Sequence, residues 1–183
     1  MTSGILAELV EPFDRMPDAS AAELLRARWG FEPRALERLA TERDDTFRFD
    51  VDGSGFVLKV AHPDDDPLYV NLQTAAMSYA AEDPHLPLQS LVISLDGEVE
   101  PVVNGRVARL LTWLDGAPLF EVTPTADQLF ALGVTLGRLN EALSTFDHPA
   151  AHREFVWDAA QLPLVRELEA AATPRDELVV SRS

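Results

Sequence analysis

One residue stands apart by type. Lys59 is the only lysine in the 183-residue chain, against 14 arginines, and it sits in an apolar run, Phe56-Val57-Leu58-Lys59-Val60. A lysine ammonium is a compact charge that can lie between two phosphate oxygens, a place the broad, planar guanidinium does not fill equally. The abundance of arginine and alanine fits a GC-rich coding bias, and that bias should have removed this lysine too. The plainer reading is a lysine that blunts a sheet edge. Other chemistry-bearing groups are fewer. The chain has no cysteine, which excludes disulfides, thiolate metal sites and cysteine nucleophiles. Its four histidines lack metal-ligand spacing. The carboxylate pairs Asp44/Asp45 and Glu98/Glu100 read as turn residues rather than a general acid and base. The loop His62-Pro63-Asp64-Asp65-Asp66-Pro67 reads as a helix entry, with Asp66 as N-cap and Pro67 at the first helical position; a calcium site is the sharper alternative. No Ser-His-Asp arrangement can be argued.

The elements that must position Lys59 follow from periodicity. Residues 19–29 have helical spacing, with Ser20 and Glu23 as a capping box and Gly30 as the stop. "PRALERLATE" reads as a short strand. "DTFRFDV" alternates with period two, placing Phe47, Phe49 and Val51 on one face and Thr46, Arg48 and Asp50 on the other. "DGSG" is a turn and "FVLKVA" the returning strand of a β-hairpin. "LYVNLQTAAMSYAAED" reads as a helix with Leu72, Ala75, Ala76 and Tyr79 on its apolar face. "LVISLDG" and "RVARLLTWL" read as two further strands, with "DGEVEPVVNG" as the turn region between them. "TADQLFALGVTLGRLNEALSTF" is the longest helix, and "VWDAAQLPLVRELEAAA" gives a break and a short helix. The sequential strands with short turns pair antiparallel. The class is therefore α+β, a five-stranded antiparallel sheet plus helix followed by further helices.

Bulk properties narrow the function. A net charge of −16 with scattered arginines argues against nucleic-acid backbones and anionic membranes. The N-terminus lacks the basic and apolar regions of a signal peptide, and no run reaches the length that spans a bilayer. These features lead to the expectation of a soluble, cytoplasmic protein.

A lysine on the third strand of such a sheet, followed by a helix and two strands, is the layout of a kinase N-lobe. The chain resembles the aminoglycoside phosphotransferase and choline kinase-like superfamily. Within it, the chain is similar to the hydroxylysine-kinase-like branch, which also occurs fused to class III aminotransferases. The resemblance rests on "LLRARWGF", "LATERDDTFRFDVDGSGFVLKVAHP", "LQTAAMSYAAED", "LLTWLDG" and "LGVTLGRLNEAL", in family order. It implies an N-terminal helical extension over 1–31, a kinase-like N-lobe over 32–114, and a hinge with the start of a C-lobe over 115–183. It implies ATP or GTP as the nucleotide, with Lys59 on its phosphates. Asp44, Asp45 and Thr46 would sit at a hairpin tip above those phosphates. Val57 and Leu111 would wall the base. The Thr112 carbonyl and Leu114 N–H would meet its edge, with Gly116 turning the chain into the second lobe. Trp113 reads as a core or lobe-interface aromatic, with base stacking as the alternative. The helix position that supplies the lysine's carboxylate partner in this family falls on Gln73, or on Asn71, and neither is charged.

The family's catalytic loop, His-Gly-Asp followed by Asn five residues later, and its later metal-binding Asp supply the base and the Mg²⁺ ligands. The sequence contains no such loop. The resemblance therefore implies a nucleotide-binding lobe that stops before the catalytic machinery and does not turn over, with no metal ligands of its own. The ancestral substrate would be a hydroxyl on an amine-bearing metabolite. The rival reading is a non-catalytic binding or assembly module. It would self-associate or dock a protein through an uncovered face that includes the helix near residues 126–145.

Overall fold

The computed structural model describes residues 13–41 and 43–152. Phe13–Ala151 forms one compact unit. The helix expected in "VWDAAQLPLVRELEAAA" lies outside the described residues.

The first helix, α1, runs Asp18–Trp29. It begins two residues before the expected cap: Pro17 holds the N-cap position without a side-chain bond, and Ser20 lies in the first turn. Its end is as expected. Gly30 adopts φ 71°, and its N–H donates to the Arg26 carbonyl at 3.1 Å. A left-handed residue at this point favours glycine because it carries no Cβ.

Five antiparallel strands follow: β1 (Glu37–Leu39), β2 (Asp45–Val51), β3 (Ser54–Val60), β4 (Val102–Val103) and β5 (Arg106–Thr112). Their spatial order is β1-β2-β3-β5-β4. The β2–β3 turn is tighter than "DGSG" suggested. Only Asp52 and Gly53 form it, both at positive φ, 51° and 81°, and Ser54 and Gly55 already belong to β3. That is the two-residue loop whose twist matches a hairpin.

The fourth strand differs from the expectation. "LVISLDG" contributes a single bridge, Leu91 to Leu111, and the strand is Val102–Val103. The outer edge of β5 is shared by two segments. Ser90 and Val92 bond to Thr112 and Leu110 at one end, and Val102–Val103 pairs with Arg106 and Val107 at the other. The Asn104-Gly105 turn, again with both residues at positive φ, closes that second hairpin.

Strand alternation sorts the side chains as the sequence pattern implies. Phe47, Phe49, Leu58, Val60, Ala108 and Leu110 form one face and bury against Ala21, Leu24, Leu25 and Trp29 of α1. The other face carries Thr46, Arg48, Val57, Lys59, Arg109 and Leu111. The helix α2, Pro67–Ala80, begins as expected, with the Asp66 carboxylate accepting from the Leu68 N–H at 2.8 Å and Pro67 in the first turn. Its buried residues are Val70, Thr74 and Ala80, not the expected Leu72 stripe. Val70 packs with Ala61 and Val107.

The longest helix, α3 (Ala126–Ala142), opens with a capping box in which Thr125 and Gln128 bond each other's backbone N–H. None of its residues is buried. Leu129, Phe130, Leu132, Val134 and Leu136 are all exposed.

Candidate functional site

The hydrogen-bond register of the sheet sets the site. Lys59 lies directly opposite Thr46 on β2 and directly opposite Arg109 on β5. Opposed residues of antiparallel strands project to the same side. Thr46, Lys59 and Arg109 therefore form a row across the sheet. The Thr46 hydroxyl is buried and has no hydrogen-bond partner among the described residues. The Lys59 ammonium, one-third exposed, lies 2.9 Å from the Asp44 carboxylate. Arg109 is buried, and its Nη2 donates to the Gln73 side-chain oxygen at 3.0 Å. Burial pulls the Arg109 guanidinium below its usual range, against the opposing pull of the Asp44, Glu100 and Asp65 carboxylates. A guanidinium remains cationic at neutral pH even so.

The helix partner expected for the lysine is therefore committed elsewhere. Gln73 serves Arg109. Asn71 donates to Glu100 at 2.9 Å, and its carbonyl oxygen lies 3.1 Å from His148 Nε2. The carboxylate beside Lys59 comes instead from the segment between β1 and β2. The Asp44 carbonyl accepts from Arg15 Nη1 at 2.7 Å and from the Thr41 hydroxyl. Next to it, Arg43 pairs with Asp65 at 2.6 Å.

Asp45 does not sit at a hairpin tip. Its side chain is fully buried and accepts from the Met16 N–H at 2.9 Å, from Arg38 at 2.7 Å and from Arg106 at 2.8 Å. Arg106 also donates to the Ala61 carbonyl at 2.6 Å, and Arg38 to the Met16 carbonyl. Burial raises the Asp45 carboxyl, but the Met16 N–H, Arg106 and Arg38 outweigh it and hold the group below the ordinary aspartate range. Its oxygens are already taken, so Asp45 ties the N-terminal segment to the sheet.

Further along the same face the surface turns apolar. Val57 and Leu111 are direct cross-strand partners, and both are buried. Beyond them the Trp113 N–H donates to the Gly55 carbonyl at 2.8 Å, and Arg48 stacks over the Trp113 ring at 4.6 Å. The Thr112 carbonyl accepts from the Gln89 side chain at 2.9 Å, which occupies one of its two lone pairs. Leu114 is exposed, and its N–H makes no hydrogen bond among the described residues. The face thus grades from cationic and hydroxylic at Thr46, Lys59 and Arg109 to apolar at Val57 and Leu111, with Arg48 opposite Val57 at the β2 end of that row, and ends at an open backbone donor. Such a gradient suits a ligand with an anionic end and a flat apolar end.

Sequence reasoning found Lys59, Thr46, Val57 and Leu111 on this face and missed Arg109. The signal was present: "RVARLLT" sets Arg109 between Ala108 and Leu110, and the strand's other arginine, Arg106, has the opposite parity. Among the described residues, no three His, Cys, Asp or Glu side chains gather closely enough to hold a metal ion.

Comparison with known proteins adds the following. A family model described as "Phosphotransferase enzyme family" matches residues 19–179. Hydroxylysine kinase of Mus musculus is 27% identical over 177 residues, covering 82% of this chain and 46% of that protein. Hydroxylysine kinase of Bos taurus is 33% identical over 82 residues, 43% of this chain and 21% of that one. The amicoumacin kinase hAmiN, solved with AMP-PNP, Ca²⁺ and Ami, superposes with a TM-score of 0.66 at 20% identity, covering 88% of this chain and 49% of that one. A microcompartment-associated aminopropanol kinase gives a TM-score of 0.60 at 19% identity, over 79% of this chain and 46% of its own. These two likenesses show a shared fold, and the chain spans about half the length of the mouse relative and of both structures.

Proposed function

The chain belongs to the phosphotransferase enzyme family, and from that membership we propose that its Lys59 face binds the nucleotide of an ATP- or GTP-dependent small-molecule kinase. The acceptor is a hydroxyl on an amine-bearing metabolite, a class that includes the hydroxylysine named for the curated relatives. The observation that carries the reading is the row Thr46–Lys59–Arg109 beside the buried Val57–Leu111 pair. The Lys59 ammonium takes the phosphates. Val57 and Leu111 flank the base, and the Leu114 N–H meets its edge. The net charge of −16 favours a cationic acceptor. A complete enzyme of this kind would need Mg²⁺ on the nucleotide's phosphates.

The sequence holds no His-Gly-Asp loop with its following Asn, and phosphoryl transfer relies on that positioning and charge neutralisation. These 183 residues therefore bind nucleotide without transferring its phosphoryl group. Calorimetry with ATP and GTP, with and without Mg²⁺, tests the binding. Lys59→Ala should weaken it about tenfold or more, the scale of one charge-assisted phosphate contact. Equal binding by the variant, or none by the wild type at millimolar nucleotide, overturns it. Turnover of hydroxylysine, ethanolamine, choline or an aminoglycoside that Lys59→Ala abolishes would overturn the inactivity. A second reading, an assembly module, draws on the exposed apolar side chains of α3.

A further inference from the structure

Lys59 and Arg109 stand side by side in one row of the sheet, and each has its own partner. Arg109 is served by Gln73 of α2, at 3.0 Å. Lys59 is served by Asp44, at 2.9 Å. We infer that Asp44, and no residue of α2, is the positioning residue that holds the Lys59 ammonium in place for phosphate. The inference rests on the nucleotide reading above.

Three observations carry it. The first is that the Asp44 backbone is anchored. Its carbonyl accepts from both Arg15 and Thr41, and its carboxylate extends from that bonded position. The second is stoichiometric. A lysine ammonium has three protons, and one carboxylate at 2.9 Å engages one of them. Two remain for phosphate oxygens. The third is the setting. Lys59 and Asp44 are only 34% and 19% exposed, where screening is weaker than on open surface. The Thr46 hydroxyl, buried and without a hydrogen-bond partner among the described residues, lies two residues along the chain from Asp44 and directly opposite Lys59. Among the described residues it is a donor without an acceptor, beside an ammonium already paired with its carboxylate. A phosphate oxygen would satisfy both.

Asp44 could instead act as a resident anion that occupies the phosphate position and must be expelled. The two roles predict opposite signs. Calorimetric titration with Mg²⁺·ATP of wild type, Asp44→Asn, Asp44→Glu, Lys59→Ala and the Asp44→Asn/Lys59→Ala double variant separates them. Asp44→Asn should weaken binding about five- to tenfold, Asp44→Glu should recover part of the loss, and the Asp44→Asn effect should vanish when Lys59 is already alanine. Unchanged or tighter binding by Asp44→Asn overturns the inference while leaving the nucleotide reading intact. Wild-type binding that is absent, or indifferent to Lys59→Ala, overturns the nucleotide reading and the inference together.

A second measurement needs no nucleotide. The chain has one lysine, so ¹³C-lysine labelling gives one set of side-chain signals. A held ammonium keeps its two ε-protons inequivalent. In Asp44→Asn they should merge into a single averaged signal. If they stay split, Asp44 is not the positioning residue.

Discussion

At the residue scale the two adjacent aspartates do different work. Asp44, just before β2, pairs with Lys59, whereas Asp45, the first residue of β2, has the parity of Phe47 and Phe49 and lies on the α1 face. Asp45→Asn should destabilise the fold by about 3–5 kcal/mol, the usual cost of breaking a buried ion pair from one side, since Arg106 would be left buried without its carboxylate. Urea midpoints at pH 7 check this. The acid limb has a definite sign. The folded-state pKa of Asp45 lies below its unfolded value. Its contribution is therefore complete above the ordinary aspartate pKa and is lost as pH falls through the lower, folded value. Asp45→Asn should flatten the decline in stability at acid pH. The sequence shows two acidic residues in a row but not which way the strand is turned, and so the roles of Asp44 and Asp45 could not be separated from it. Lys59 was legible because it breaks both a composition bias and an apolar run. Arg109 breaks only the run.

At the element scale, what was legible followed from local chemistry. The Asp66-Pro67 entry to α2, the Gly30 stop of α1 and the alternation of β2 each depend on residues within one turn or one strand. What was not legible depends on distant packing. The alanine-rich α2 offers more than one small-residue stripe, and only contact with Ala61 and Val107 selects the Val70 side. The fourth strand was misplaced because "LVISLDG" is apolar enough for a strand, whereas the turn dipeptide Asn104-Gly105 marks the hairpin that actually forms. Gly55 ties an element to the site. A Cβ there would lie 2.7 Å from the Trp113 Cβ, a contact that backbone must relieve. Gly55→Ala should therefore cost about 1–3 kcal/mol, as overpacked sites do, and should also weaken nucleotide binding by displacing the segment that presents Leu114. A denaturation curve and an ATP titration of the same variant check both parts.

At the scale of the whole molecule, α3 is the element least accounted for by its surroundings. A helix of 17 residues with leucines exposed along its length does not gain the burial that normally holds a helix in place. On the assembly reading, size-exclusion with light scattering over a range of concentrations should show reversible self-association. Alanine replacement of Leu129, Leu132 and Leu136 together should reduce it, while a clean monomer at all concentrations would count against the assembly reading. The described residues contain no helix long and apolar enough to cross a membrane. The fold class and the strand that carries the lysine were readable from sequence because both rest on alternation and short turns. The shared edge of β5 was not, because two separated segments compete for it.

Lys59 belongs to β3, which is paired on both sides, with β2 and with β5. The peptide bond after it is the only place in the chain where a lysine-specific protease can cut. To fit a protease cleft, that stretch must leave both neighbours at once, which amounts to opening the sheet. Cleavage into two fragments under native conditions would therefore clock the unfolding of the sheet, without a probe or a label, and a ligand held by the same side chain would slow that clock in proportion to its occupancy.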